Sequence, residues 1–315
     1  MVDMAGRVPD AGVSGDGAAA FEELRPLLSG IAYRMLGSVT EAEDVVQEAY
    51  LRYARAIAAG TAVESARAYL SAVTTRLAID ALTSARARRE TYVGTWLPEP
   101  VVEDDDPARH AEQADTLSMA FLLLLERLSP VERAVFLLHD VFGYPFEEVA
   151  GIVGKTAANC RQLAARARRH VAEGRPRFDP DDRGRAAARR FVAAMLDGDV
   201  DGLVALLADD AVVTGDSGGG SPSWPRPITG RDKVARVLAA SGRQARDAGL
   251  AVRLARVNGQ PGAVATDPAG RVVVVLAFEV SGGAVTGVRS VINPAKLAHL
   301  GPVADVRELW RQRSR

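Results

Sequence analysis

Arg161, Gln162, Arg166, Arg168 and Arg169 crowd one short stretch near the middle of the chain, interleaved with Cys160, Leu163, Ala167 and Val171 at spacings of three and four. That interleaving predicts an amphipathic helix with the apolar stripe buried and the arginines facing away. Guanidinium groups in such a row can grip guanine O6 and N7 or hold phosphates. The chemistry on offer is therefore reversible binding of a nucleic acid. A helical hairpin with a merely solvated basic face carries the same pattern, and such pairs occur in bundles with no nucleic-acid role. Cys160, on the apolar stripe, reads as a small core residue rather than a reactive thiol. A second set of candidates is acidic: Asp209, Asp210 and Asp216 flank a predicted strand and could act as general bases, although acids beside a strand are also ordinary turn residues.

The arginine helix needs partners to position it. Ser129 suits an N-cap, Pro130 the first helical position and Glu132 the third position of a capping box, so a helix is expected from Pro130. Gly143, Tyr144 and Pro145 end it. A second helix follows from about Phe146 to Val153 with Val149, Ile152 and Val153 inward, Gly154 breaks it, and Thr156 caps the third. Two short helices meeting at a glycine-containing turn form a helix-turn-helix, the arrangement that places side chains in a DNA major groove.

The chain has 315 residues, enough for two or three domains, with 48% hydrophobic and 25% charged residues and a net charge of −1. Its single cysteine excludes an internal disulfide, and no apolar run is long enough to span a bilayer or act as a secretory signal, so a cytoplasmic protein without membrane contact is expected. Charge is segregated. Arg86, Arg88 and Arg89 form one basic knot and the arginine helix another, with the acids from Glu103 to Asp106 between them.

Residues 1–20, rich in Gly, Ala and Asp, read as a flexible tail. Phe21, Leu24, Leu28, Ile31 and Met35 then mark a helix that stops at Gly37 and Ser38. Thr40 and Glu43 predict a capping box for a helix to about Ile57, with Val45, Val46, Ala49, Tyr50 and Tyr53 inward and Glu41, Asp44, Glu48, Arg52 and Arg55 outward. Ser65 can cap a third helix that buries Tyr69, Leu70, Val73, Leu77 and Leu82 and runs into the basic knot. Trp96–Pro100, with two prolines around Glu99, reads as an extended linker that continues through the acidic run. A helix from about Arg109 leads on to the helix-turn-helix.

The segment AEDVVQEAYLR (Ala42 to Arg52), with AYLSAVTTRLAIDAL after it, resembles region 2 of the extracytoplasmic-function sigma factors of bacterial RNA polymerase, and Leu128 to Val171 resembles their region 4. Two regions in the right order are more specific than a lone helix-turn-helix. YVGTWLPEP, the PRF at Pro176 to Phe178 and a long C-terminal extension resemble a subgroup with a fused SnoaL-like domain. The resemblance implies a multidomain fold: two all-α units followed by an α+β cone of the SnoaL and ketosteroid-isomerase type. Expected boundaries are region 2 over 21–95, a linker over 96–115, region 4 over 116–175, the SnoaL-like domain over 185–300 and a tail over 301–315.

It also implies roles. Asp44, Gln47, Glu48 and Arg52 would dock on the clamp helices of the largest polymerase subunit, and region 4 on the beta flap. Tyr69, Thr75, Arg76, Arg86, Arg88 and Arg89 would hold the opened minus-10 element, where unstacked bases sit in pockets while cations track the backbone. Thr156, Asn159, Arg161, Gln162 and Arg166 would meet the minus-35 duplex. The acidic linker would thread the polymerase cleft. No metal, cofactor or dedicated anti-sigma factor is expected.

The C-terminal half supports the cone from its own texture. Arg185 to Leu196 and Arg231 to Ala240 read as helices, and from Ala251 onward AVRLARV, GAVAT, RVVVVLAFEV and AVTGVRSVIN read as antiparallel strands between Gly and Pro turns. Isomerase chemistry needs an Asp base with buried donors such as Tyr and a protonated Asp. No Tyr follows Tyr144, so a non-catalytic domain is expected. In the fused subgroup a DGGGK-type loop and an NPDKL-type motif are associated with regulation. The matching stretches are Asp216, Ser217, Gly218, Gly219, Gly220 and Ser221, and Asn293, Pro294, Ala295, Lys296 and Leu297; each has lost one charge, and each could be purely structural. Two rival readings remain open at this point. One is a ligand-sensing helix-turn-helix regulator independent of polymerase, and the other an enzyme tethered to DNA.

Overall fold

The computed structural model describes residues 15–90, 92–103, 117–172, 181–219, 224, 226–304 and 306. The first helical unit holds α1 (Gly15–Leu36), α2 (Val39–Ala58) and α3 (Ala66–Glu90). Helix α1 begins within the stretch read as a tail. It buries Leu28, Ile31 and Met35 and ends at Gly37, whose φ of 66° only glycine adopts without strain. Helix α2 is capped two residues earlier than Thr40 and Glu43 suggested: the Ser38 hydroxyl accepts the Glu41 N–H at 3.1 Å. Ser65 caps α3 as expected, accepting the Ala68 N–H.

The second helical unit holds α4 (Met119–Leu125), α5 (Pro130–Phe136), which continues as a π-helical turn over Leu137–Val141, then α6 (Phe146–Val153) and α7 (Ala157–Ala172). The Ser129–Glu132 capping box is present in both directions, Gly154 closes α6 in the left-handed conformation, and the Thr156 hydroxyl accepts the Asn159 N–H. The two units share one apolar core that runs from Phe21 to Val171. Polar contacts cross it: Ser71 and Tyr144 hydroxyls share a 2.7 Å hydrogen bond. Buried Arg133 donates to the carbonyls of Leu125 (2.9 Å) and Met35 (2.6 Å), and pairs with Glu126 at 2.9 Å. No described helix is long and apolar enough to cross a membrane.

The C-terminal unit follows from α8 (Asp181–Asp197) and α9 (Val200–Leu206) into β2 (Leu207–Asp216), β3 (Ile228–Thr229), α10 (Arg231–Asp247), β4 (Ala251–Val257), β5 (Gln260–Thr266), β6 (Val272–Ser281), β7 (Ala284–Val291) and α11 (Pro294–Leu297). One more strand, β1 (Val102–Glu103), belongs to the linker and pairs antiparallel with β4. Among the described residues the sheet has seven strands in the order β1-β4-β5-β6-β7-β2-β3, and of these strands only β2 and β7 pair in parallel. One face of the sheet packs Val213, Leu276, Phe278 and Val288 against α8, α9 and α10. Gly242 permits that packing, because a Cβ there would stand 1.8 Å from the Met195 carbonyl oxygen. The other face packs Val257, Val275, Ala277 and Val291 against Leu97, Met119 and Leu297.

The linker, expected to be extended, is a docked strap along the part described. Leu97 is wholly buried. Pro98 and Pro100 have no N–H to satisfy, and each remaining amide is paired: Leu97 to the Asp216 carboxylate at 2.8 Å, Glu99 to the Gly37 carbonyl at 2.8 Å and Val101 to Asn258 Oδ1 at 3.1 Å. A strand with prolines at alternate positions can cross an apolar surface without orphaned donors. Residues 104–116, including the rest of the acidic run, and 173–180, including the PRF stretch, lie outside the described residues.

Candidate nucleic-acid interface and its restraint

Helix α7 buries Cys160, Leu163, Ala164, Ala167 and Val171 and leaves Asn159, Arg161, Gln162, Arg166 and Arg169 exposed, with exposed Thr156 at its cap. The residues expected at the duplex thus lie on the solvent side of one helix. Arg161 pairs with Glu147 of α6 at 2.8 Å and lies 5.5 Å from the Phe146 ring centroid. Arg166 pairs with Glu132 of α5 at 3.3 Å, and Arg168 with Asp140 at 2.6 Å. The Arg161–Glu147 pair is exposed on both sides, and such a pair contributes about 0–1 kcal/mol, little enough for a phosphate or guanine to displace the acid. Burial alone would raise the Glu132 carboxyl, but the Ser129 hydroxyl and N–H outweigh it, and with Arg166 they hold its pKa below the usual value. Burial pushes the Cys160 thiol up, as suits a core residue.

On α2, Asp44, Gln47 and Arg52 are exposed and Glu48 is half-buried. Glu48 and Arg52 form an i,i+4 pair at 2.8 Å. Leu51, 40% exposed, adds a large apolar side chain to the same helix; sequence reasoning overlooked it, although it sits between two residues of that set.

The expected minus-10 residues divide. Arg76 donates from Nε to the Ile152 carbonyl at 2.9 Å and from Nη2 to the Gly151 carbonyl at 2.8 Å, at the C-terminal end of α6. Two free carbonyls at a helix end are natural acceptors for a guanidinium. Tyr69 is half-buried, its ring 5.8 Å from that of Tyr53. Thr75 corrects the expectation: it is 0% exposed, because α3 lies between the rest of its own unit and the second helical unit, and its hydroxyl faces packed side chains rather than solvent. Arg86, Arg88 and Arg89 lie on the last turns of α3, and their side chains are outside the described residues.

The two glycine- and asparagine-containing motifs of the C-terminal unit meet each other and the linker. Asp216, at the end of β2 and wholly buried, receives the Lys296 ammonium at 2.6 Å, the Leu97 N–H, the Gly218 N–H at 3.1 Å and the Tyr92 hydroxyl. Lys296 also donates to the Leu97 carbonyl, and its Nζ lies 4.2 Å from the Trp96 ring centroid and 5.0 Å from that of Tyr92. Burial, then the hydrogen bond from its hydroxyl to Asp216, raises the Tyr92 pKa. Asn293 caps α11 through the Ala295 N–H and donates to the Tyr92 hydroxyl at 2.8 Å. Gly218 has a φ of 63°, and a Cβ there would stand 2.8 Å from Asn293 Nδ2. Pro294 opens α11, and Leu297 is buried against the sheet. Gly219 lies beside Val93; Gly220 is outside the described residues.

Two further junctions were missed. The Glu99 carboxylate accepts the Ser38 hydroxyl at 2.8 Å and the N–H groups of Val39 and Thr40 at 2.7 and 3.1 Å, capping α2 from the linker. Asn258, in the Asn-Gly turn between β4 and β5, has a φ of 53°. It donates from Nδ2 to the Tyr33 hydroxyl of α1 at 2.6 Å and to the Leu117 carbonyl at 3.1 Å, while its backbone N–H meets Val101. Of the three acids weighed as bases, Asp216 is the buried acceptor of this junction; the Asp209 side chain is 85% exposed and paired with Arg231, and Asp210 is exposed.

Comparison with known proteins agrees with this architecture. Residues 20–88 match the model of Sigma-70 region 2, 118–171 that of Sigma-70 region 4 and 188–293 that of the SnoaL-like domain. The ECF RNA polymerase sigma factor SigJ of Mycobacterium tuberculosis is 44% identical over 250 residues, covering 77% of this chain and 79% of the relative. The probable ECF sigma factor SigI of the same species is 39% identical over 194 residues, 60% of this chain and 66% of that protein. The crystal structure of M. tuberculosis SigJ superposes with a TM-score of 0.71 at 38% identity, covering 89% of this chain and 98% of that one.

Proposed function

This chain belongs to the extracytoplasmic-function sigma factors of RNA polymerase, and from that premise we propose that it is a promoter-specificity subunit held closed, when free, by its own C-terminal domain. Core polymerase and promoter DNA are the partners of such a factor. Asp44, Gln47, Leu51 and Arg52 form the core-binding face, Arg161, Gln162 and Arg166 meet the minus-35 duplex, and Arg76 with the basic end of α3 meets the opened minus-10 strand.

The observation that carries the closed state is Arg76. A cation assigned to the minus-10 strand is engaged by the end of the helix-turn-helix assigned to minus-35, within a core that both units share. The two elements lie about 25 base pairs apart by their names, about 85 Å of duplex at about 3.4 Å per pair. Two modules in side-by-side contact do not span that length, so promoter binding requires them to part. The C-terminal domain opposes parting by gripping the connecting strap at Asp216, Asn258 and β4. It acts as a non-catalytic restraint in the cytoplasm, where polymerase works, and takes the place of a separate anti-sigma protein.

Incubation of core polymerase with the full chain on genomic fragments, followed by mapping of transcript 5′ ends, tests this reading. Start sites that share an upstream motif are expected, and Asp44→Arg with Arg52→Glu should abolish them while duplex binding persists. Absence of chain-dependent starts, or starts that survive the charge reversal, refutes it.

A further inference from the structure

Three acids face the arginines of α7, and they hold them by different atoms. Arg161 donates from Nη2 to Glu147 at 2.8 Å, so one of its two terminal nitrogens is taken up by the acid. Arg166 meets Glu132 through Nε at 3.3 Å, and Arg168 meets Asp140 through Nε at 2.6 Å. A guanidinium held at Nε keeps Nη1 and Nη2 for an end-on fork onto a phosphate or a base edge. The acids also differ in freedom. The Glu147 side chain is 69% exposed, whereas those of Glu132 and Asp140 are 14% and 21% exposed. Glu147 can therefore swing into water, while Glu132 is tied down by its capping box and Asp140 by the packing around it.

Asp140 is brought to α7 by the π-helical turn over Leu137–Val141. Such a turn re-aims side chains that an unbroken α-helix would point elsewhere. Here the consecutive residues His139 and Asp140 both face the helix-turn-helix: the His139 ring stacks on Phe146 with centroids 3.7 Å apart, and Asp140 reaches Arg168. Phe146 in turn lies under the Arg161 guanidinium. Arg168 stands about two turns after Arg161 on the same flank of α7. Its side chain is 47% exposed, and Asp140 is its one ion-pair partner among the described residues.

We propose that Arg168 is a further contact to the phosphate backbone of the duplex, that Asp140 is the residue that positions it, and that Glu147 is a latch on Arg161 which the duplex must displace. The two acids thus act in opposite senses on one ligand. Both roles rest on the reading of α7 as the helix that meets duplex. Repulsion between carboxylate and phosphate predicts one sign for both acids, since removing either negative charge would tighten binding. A buttress predicts the reverse for Asp140, because an unheld arginine must be ordered when the phosphate arrives.

Arg161, Arg166 and Arg168 are exposed in the closed chain, so the full chain can be titrated with a fluorescein-labelled, mixed-sequence DNA duplex of about two helical turns at several salt concentrations. Arg168→Ala should weaken binding about fivefold and shallow the salt dependence by about one unit. Asp140→Asn should weaken binding about threefold, and Glu147→Gln should tighten it about threefold. In an Arg168→Lys background, where the cation remains but Nε is gone, Asp140→Asn should no longer weaken binding; a loss of fold would weaken it in both backgrounds. Tightening by Asp140→Asn, or equal weakening in both backgrounds, overturns the buttress. Unchanged or weaker binding by Glu147→Gln overturns the latch. An Arg168→Ala chain that binds normally, while Arg161→Ala or Arg166→Ala weakens binding, overturns the Arg168 contact alone. Normal binding by all three alanine variants contradicts the reading of α7 itself.

Discussion

The Asp216 carboxylate and the Lys296 ammonium meet at 2.6 Å across 80 residues of chain, both buried, with the Leu97 backbone held between them. Each lies in one of the two stretches that resemble the subgroup's motifs, and their charges pair with each other. Removing one member leaves the other buried and unpaired, which costs about 3–5 kcal/mol. Lys296→Met should therefore lower the stability of the full chain by about that amount in urea unfolding, and Asp216→Leu with Lys296→Met should recover much of the loss. A loss under about 1 kcal/mol for the single variant would show that the pair is not the strap's anchor.

Asn258 isolates the contribution of the three-way junction. Its φ of 53° suits glycine, so Asn258→Gly keeps the turn while removing the side-chain bonds to Tyr33, Val101 and Leu117. We expect a loss of about 1–3 kcal/mol and faster amide exchange at Val101. Unchanged exchange at Val101 would show that β1 pairing alone holds the strap.

Arg161 and Arg166 are separable by salt. Alanine at a residue that grips guanine bidentately should cost about 1–3 kcal/mol of duplex affinity and relax sequence preference at one position. Alanine at a phosphate contact should weaken all sequences alike and shallow the salt dependence by about one unit. Binding isotherms at several salt concentrations decide between these, and no change for either variant would remove α7 from the interface.

Glu132 gives the second helical unit an acid limb. Its folded pKa is depressed, so its stabilising contribution is complete above the unfolded carboxylate range and is lost as pH falls through the depressed value. Glu132→Gln should cost about 0.5–1 kcal/mol near pH 7, as a weakened cap does, and the difference from wild type should shrink as pH falls through the depressed value. A difference that stays constant over that range would contradict the assignment.

The helix-turn-helix was legible because its determinants are local. Ser129, Pro130 and Glu132 act within one turn, Gly154 and Thr156 fix the second break by their own backbone and side-chain chemistry, and the Cys160–Val171 stripe needs only the helical period. The cone's strands were legible for the same reason. What the sequence did not reveal is which distant group each local feature awaits. Thr40 and Glu43 looked like the cap of α2 because nothing nearby announces that Glu99 fills that role from 60 residues away. Trp96–Pro100 read as an extended linker since prolines favour extension; the signal that it also docks was Leu97, an apolar residue between Trp96 and Pro98 with no reason to face water. Thr75 was assigned to DNA from resemblance alone, and its burial follows from the second unit packing on α3.

The most direct test is the distance between the two helical units before and after polymerase binds. Cys160 is buried with its pKa raised, so spin labels placed at Glu43→Cys and Ala165→Cys report without interference. In the free chain the account predicts one short, narrow distance distribution, broadened in Lys296→Met, and a shift outward by tens of ångströms, on the order of the roughly 85 Å between elements, once core enzyme and promoter DNA are added. A distribution that stays short in the promoter complex, or that is already long and broad in the free chain, would contradict it.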